Sequence, residues 1–248
     1  SLEKALLSGI NLIDTSANYS DGGSEKLVGA VLEKLISENK IKREQILIVS
    51  KAGYLQGQNY QLSQERKKIG NSFPDLVEYA HGLEHCIHPE FIEDQLARSL
   101  ERLKLNQLDV YLLHNPEYYL NWAKHQGHSL DQARNEYYRR IQLAFEFLET
   151  EVQRRRIVSY GISSNTFPHS EKDFDFTSLE KVYDIAGSIS PQNHFKWIQL
   201  PMNLIETGGA TEKYQKNGSQ TVLEFAYEKG LRVLINRPLN AIFNDQLI

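Results

Sequence analysis

Cysteine and methionine are nearly absent from this chain: each occurs once in 248 residues, as Cys86 and Met202. A lone cysteine excludes an internal disulfide framework and agrees with a reducing, cytoplasmic setting. Because the one methionine lies deep in the chain, Ser1 is not expected to be a natural start. Long apolar runs are missing too. None approaches the roughly 20 residues that span a bilayer, and no secretory leader pattern opens the chain. The formal net charge is only −4, which supplies no attraction to nucleic acid or to an anionic membrane. There is no Pro/Gly-rich linker, low-complexity tract or internal repeat, so residues 1–248 read as a single domain.

What is present is an alternation of short apolar runs and helical patterns. Strands are expected at Asn11–Thr15, Ile46–Lys51, Asp109–His114, Val158–Ser163, Trp197–Pro201 and Arg232–Asn236, each apolar enough to be buried on both faces. Helical periodicity marks Leu27–Ser37, Pro89–Leu103, Arg139–Arg155, Phe176–Ala186 and Gln220–Lys229. Leu2–Leu7 before Gly9 reads as the end of a helix with its glycine stop. Repeated strand–helix units imply a parallel α/β sheet, open or closed into a barrel. The strand expected before Leu2 is absent, and the chain stops after a strand and the turn Pro238–Asn244. With one more strand at each end the total is eight. Two connections are long, Ala52–His88 and Asn115–Tyr138, and each reads equally as a wall of a substrate pocket or as a surface insertion.

In parallel α/β folds chemistry sits just past the carboxyl ends of the strands. Three successive strands end there in ionisable groups: Asp14 with Tyr19 in the following turn, Lys51, and His114. Taken singly, Asp14 reads as a helix cap, Lys51 as a strand-end lysine, His114 beside Asn-Pro as a turn residue and Tyr19 as a surface group. Together they form a constellation that points to an enzyme.

The same residues carry a family resemblance over nearly the whole chain. DTSANYSDGGSE resembles the Asp-Thr-Ala-x-x-Tyr motif of the aldo-keto reductases with its following Gly-Ser-Glu. SLERLKLNQLDVYLLHNPE (Ser99–Glu117) resembles the helix and strand of their catalytic histidine. SKAGY matches their lysine segment, and YGISSN and IQLPMN match the next two strands. The resemblance implies an α/β fold, a (β/α)8 TIM barrel whose second to seventh strands are these six. The first and last strands would then lie outside this chain. It also implies hydride transfer between NADP(H) and an aldehyde, ketone or alcohol. NAD(H) is not excluded, because the loop that would hold the 2′-phosphate is not in the chain.

Carbonyl reduction needs a positioned hydride and a proton delivered to the oxygen on which negative charge develops. Tyr19 is the candidate general acid. A phenol is a sluggish acid, and the ammonium of Lys51 would stabilise the phenolate it leaves. Asp14 would hold Lys51 charged and in place. His114 would donate a hydrogen bond to the carbonyl oxygen or share in the proton relay. On the cofactor side, the resemblance implies that Ser163 with Ser164 or Asn165 grips the nicotinamide carboxamide, with Gln199 as second partner. Asn236 stands where the family commonly stacks an aromatic on the nicotinamide, and Arg237 is expected to meet either a cofactor phosphate or an acid. The run Ser20–Gly23 lacks the glycine spacing of a phosphate loop and reads as a turn.

The alternative is a non-catalytic nicotinamide-binding regulatory or scaffold protein resembling the channel-associated β-subunits. A third reading, a barrel hydrolase or metal-dependent isomerase, finds only Asp14 and His114 at the strand ends, with Glu117 beyond in a loop. No metal site is expected.

Overall fold

The computed structural model describes residues 1–240 and, beyond them, only the backbone of residues 242–243 and 246–247. The far end of the expected turn Pro238–Asn244 therefore lies outside the described residues.

All six expected strands form. They are β1 (Leu12–Asp14), β2 (Leu47–Ala52), β6 (Leu108–His114), β7 (Ile157–Ser163), β8 (Phe195–Pro201) and β9 (Arg232–Asn236). Each pairs in parallel with the next in chain order, giving one sheet β1-β2-β6-β7-β8-β9. Helices α1 (Leu2–Leu7), α2 (Gly23–Ser37), α4 (Pro89–Leu103), α6 (Leu130–Gln153), α7 (Leu179–Ile189) and α9 (Val222–Glu228) accompany them. The sheet is strongly curled. Asp14 on β1 accepts a hydrogen bond from Gln199 on β8 at 3.0 Å, although four strand-to-strand steps separate them in the sheet. A flat sheet would hold those strands about 19 Å apart, at about 4.8 Å per step. The strands thus trace an arc of a (β/α)8 barrel.

Period-two alternation sorts the strand residues between two cores. On the outer face Ile48, Tyr111, Leu113, Ile162, Ile198 and Leu200 pack against helical residues such as Leu32, Phe91, Leu96, Phe145 and Phe225. On the inner face Val49, Val110, Leu112, Trp197 and Leu234 make a small separate core. Gly161 lets the β8 backbone approach β7 closely: a Cβ there would stand 1.9 Å from the Trp197 carbonyl oxygen and 2.9 Å from the Leu112 side chain. Two residues further along these same inward stripes lie Lys51, His114, Ser163, Gln199 and Asn236. The alternation that fills the barrel thus carries five polar side chains to its carboxyl mouth.

The long connections are structured. Ala52–His88 contains β3 (Tyr54–Leu55), α3 (Gly57–Lys68), β4 (Val77–Ala80) and β5 (Leu83–His85), the strands forming an antiparallel sheet β3-β5-β4. Helix α3 has no apolar stripe. It docks on α4 through Asn59 and Gln95, whose side-chain amides exchange hydrogen bonds at 2.8 and 3.0 Å. Asn115–Tyr138 contains α5 (Tyr118–His125) and the first turns of α6, which starts nine residues before the expected Arg139. The start is set by a capping box in which Ser129 and Gln132 bond each other's backbone N–H groups at 3.2 and 3.3 Å. The remaining helix, α8 (Gly208–Thr211), is a single turn. No helix among the described residues is long and apolar enough to cross a membrane.

Candidate active site

The side chain of Lys51 is fully buried, and an ammonium there must find partners for three N–H groups. It finds three: Asp14 Oδ1 at 2.7 Å, the Thr15 carbonyl oxygen at 3.1 Å and the Tyr19 hydroxyl at 3.3 Å. Asp14 and Thr15 are supplied by the end of β1 and Lys51 by β2, with β6 adding His114 beside them. The Tyr19 and His114 rings stand edge to face, 6.0 Å apart. The structure therefore brings all four expected residues together. Lys51 and His114 are buried, whereas Tyr19, at 39%, and Asp14 are exposed.

Tyr19 is held by an unusual turn. Ser20 and Asp21 both adopt left-handed backbone angles, with φ of 51° and 53°, a conformation that costs non-glycine residues about 1–2 kcal/mol each. The Asp21 carboxylate accepts the backbone N–H of Gln58 in the first turn of α3 at 3.0 Å. The insertion is thereby anchored to the loop that carries Tyr19.

His114 is buried, and burial, the Lys51 ammonium and then His85 hold its pKa well below the usual imidazole range. The ring is neutral at neutral pH. Its Nδ1 lies 3.2 Å from Ser16 Oγ, and its backbone carbonyl accepts from His85 Nε2–H at 2.7 Å. Burial pushes His85 down to about 4, against the opposing effect of that hydrogen bond. Tyr54 packs edge-on to His114 with ring centroids 4.7 Å apart, and Tyr79 and Tyr118 extend this aromatic wall. Desolvation drives the Tyr54 phenol far above its ordinary range, so it stays protonated. Both long connections thus place side chains beside His114, Tyr54 and Tyr79 from the first and Tyr118 from the second. Sequence inspection missed Ser16, Tyr54 and His85. Only their closeness to strand ends, or their place in a Tyr/His-rich connection, could have marked them.

Beyond β7 and β8, Ser163 Oγ donates to Gln199 Oε1 at 2.9 Å, and Gln199 Nε2 donates to Asp14 Oδ2 at 3.0 Å. Ser163 and Gln199 are thus joined to the Asp14–Lys51 pair. Ser164 is fully buried, its hydroxyl engaged with Thr166 at 3.2 Å and Thr177 at 3.4 Å. Asn165 is half-buried beside it, with its backbone N–H on Glu117 Oε1 at 2.8 Å. Glu117 also accepts from Asn115 Nδ2 at 2.8 Å, and burial raises its pKa despite these bonds. Asn236 sits at the end of β9 with a buried Oδ1 that has no hydrogen-bond partner. Arg237 takes the acid of its two expected partners, forking onto Glu206 at 2.5 and 3.2 Å. Cys86 is buried and its thiol is pushed up to about 12, chiefly by desolvation. Among the described residues no group of three His, Cys, Asp or Glu side chains could hold a metal ion.

The model of the aldo/keto reductase family matches residues 1–240. An NADH-specific methylglyoxal reductase of Escherichia coli is 36% identical over 107 residues, covering 43% of this chain and 27% of that protein. An NAD(P)H-dependent D-xylose reductase of Scheffersomyces stipitis is 26% identical over 238 residues, 92% of this chain and 62% of that protein. Among solved structures, an aldo-keto reductase of Bacillus halodurans superposes with a TM-score of 0.55 at 19% identity, covering 98% of this chain and 60% of that one. The chain therefore spans less than two thirds of the length of each of these relatives. The match of the family model along almost all of its residues means that the chain belongs to the aldo/keto reductase family.

Proposed function

We propose that this site reduces an aldehyde or ketone, or oxidises the corresponding alcohol, with Tyr19 as the acid or base. The observation that carries the reading is the saturated Lys51 ammonium, which touches Asp14, the chain turn and the Tyr19 hydroxyl at once. In reduction Tyr19 gives its hydroxyl proton to the substrate oxygen. Lys51 stays charged and donates to the phenolate oxygen as it forms, and Asp14 keeps that charge in place. The exposed edge of Tyr19 lets solvent restore its proton. Ser163, Gln199 and Asn236, with Asn165 rather than Ser164, offer the uncharged hydroxyl and amide groups that a nicotinamide carboxamide needs. The orphaned Oδ1 of Asn236 is an acceptor left open for such a donor. A nicotinamide bound there supplies the hydride. Arg237 is occupied by Glu206, which argues against a phosphate role for it.

One relative is named NADH-specific and another NAD(P)H-dependent, so either reduced cofactor fits the reading. The test is an aldehyde and ketone screen with NADPH and with NADH in parallel. Turnover is expected with at least one cofactor. Tyr19→Phe should lose at least about a hundredfold in kcat, the range of a general acid, with its unfolding midpoint unchanged. Turnover in Tyr19→Phe equal to the parent would remove Tyr19 from the reaction. Cofactor binding without any oxidation of bound NADPH would favour the regulatory reading instead.

A further inference from the structure

Glu117 stands just past the carboxyl end of β6, and its side chain is buried with no lysine or arginine partner among the described residues. A buried carboxylate without a cation must be met by hydrogen-bond donors. Two reach it, both on Oε1: Asn115 Nδ2 at 2.8 Å and the Asn165 backbone N–H at 2.8 Å. Its Oε2 is buried and unpartnered. The first bond steadies a residue in the left-handed region, since Asn115 has a φ of 50°. The second crosses to the loop after β7, 48 residues along the chain.

That crossing falls where the sheet runs out of backbone partners. The β6–β7 ladder ends with His114 opposite Ser163, and the Asn115 N–H adds one more bond to the Ser163 carbonyl oxygen at 2.8 Å. The Ser164 N–H turns the other way, to the Gln199 carbonyl oxygen at 2.9 Å. Asn165 is therefore the first residue past β7 whose N–H has no backbone acceptor, and Glu117 takes it. The Asn165 side-chain amide, by contrast, has no hydrogen-bond partner among the described residues. Its backbone is pinned while its amide stays open to a ligand.

We propose that Glu117 is a positioning residue for the cofactor, which by accepting the Asn165 N–H fixes the direction in which the Asn165 side-chain amide meets the nicotinamide carboxamide. The proposal rests on the reading of Asn165 as a carboxamide partner. An apolar residue at 117 would leave the Asn165 N–H without an acceptor, and the loop would move to find one. The carboxamide end of the cofactor is where that movement is felt.

The test is a cycle of two proteins and two ligands, read by titration calorimetry on the full chain. The ligands are NADP+ or NAD+, whichever binds more tightly, and its 3-acetylpyridine analogue, in which a methyl ketone replaces the carboxamide and removes its N–H donors. The parent should bind the analogue about tenfold more weakly, the size of one lost hydrogen bond to a protein acceptor. In Glu117→Leu the dinucleotide itself should bind about tenfold more weakly, and the gap to the analogue should close to about twofold. Glu117→Gln, which keeps an acceptor for the Asn165 N–H, should return both affinities toward the parent's. A residue that merely supported the fold would weaken both ligands alike and leave the gap intact. An unchanged gap in Glu117→Leu therefore overturns the inference alone. If that variant does not fold, Glu117→Asp, which draws the carboxylate back by one methylene, decides in the same way. A parent that binds both ligands alike, or neither, removes the carboxamide reading of Asn165 and the inference with it.

Discussion

Lys51 and Asp14 are bound in one pair but are exposed to different degrees, and that difference predicts an asymmetry. The Lys51 side chain is wholly buried, whereas 30% of the Asp14 side chain reaches solvent. Removing Asp14 leaves a buried ammonium with only a carbonyl and a phenol. Removing Lys51 leaves a carboxylate that water and Gln199 can still solvate. Asp14→Ala should therefore cost about 3 kcal/mol, the low end for breaking a buried pair, and Lys51→Met distinctly less. Urea titrations with equal m-values would measure both, and equal costs would show that the pair is not asymmetrically solvated. The tetrad was legible in the sequence because each strand-borne member follows an inward apolar residue by two positions, a local rule. The choice between Ser164 and Asn165 was not legible. It depends on contacts mostly distant in sequence: the Ser164 hydroxyl meets Thr166 and Thr177, and the Asn165 backbone N–H bonds Glu117.

At the scale of elements, the six parallel strands could be read from short apolar runs, but the insertion could not. Helix α3 buries amides instead of a hydrophobic stripe, and the strands β3, β4 and β5 are two to four residues long. Such elements leave no periodic signal for a sequence reading to find. Their anchor is Asp21, which accepts the N–H of Gln58 at the start of α3. Asp21→Ala removes that acceptor and should weaken the first turn of α3 by about 1 kcal/mol, as loss of a helix cap does. Hydrogen exchange at Gln58–Tyr60 should quicken while α4 and α6 are unaffected. Because the same carboxylate fixes the turn after Tyr19, kcat should fall as well. Unchanged exchange at Gln58 would mean that the other contacts of α3, Asn59 with Gln95, Arg66 with Glu90, and Gln64 and Lys67 with Glu84, hold it without Asp21.

Over the whole molecule, two buried histidines beside the site link its stability to pH. His85 titrates at about 4 and His114 well below its ordinary value, both depressed mainly by burial, while the unfolded chain protonates at about 6.5. Below pH 6.5 the unfolded state therefore binds protons that the native state refuses. Stability from these groups is fully present above that value and is lost as pH falls toward 4. Other groups oppose this trend: His169 is raised by Asp175 and contributes stability at low pH. The informative quantity is thus a difference. The fall in unfolding free energy between pH 7 and 4 should be smaller in His85→Gln, whose amide can still donate to the His114 carbonyl. Identical pH profiles for the two proteins would show that His85 is not held neutral by the fold.

The chain alone determined the parallel strand order, the α/β class and the four residues at the barrel mouth. These depend on short-range alternation, on strand ends and on motif spacing, all of which are local in sequence. Folding decided what depends on distance through space. The curl that joins Asp14 to Gln199 across 185 residues of chain is one such outcome. The pairing of Arg237 with Glu206 and the neutrality of His114 are others. Each arises where polar groups are buried together and must satisfy one another, and no periodic pattern records such partnerships.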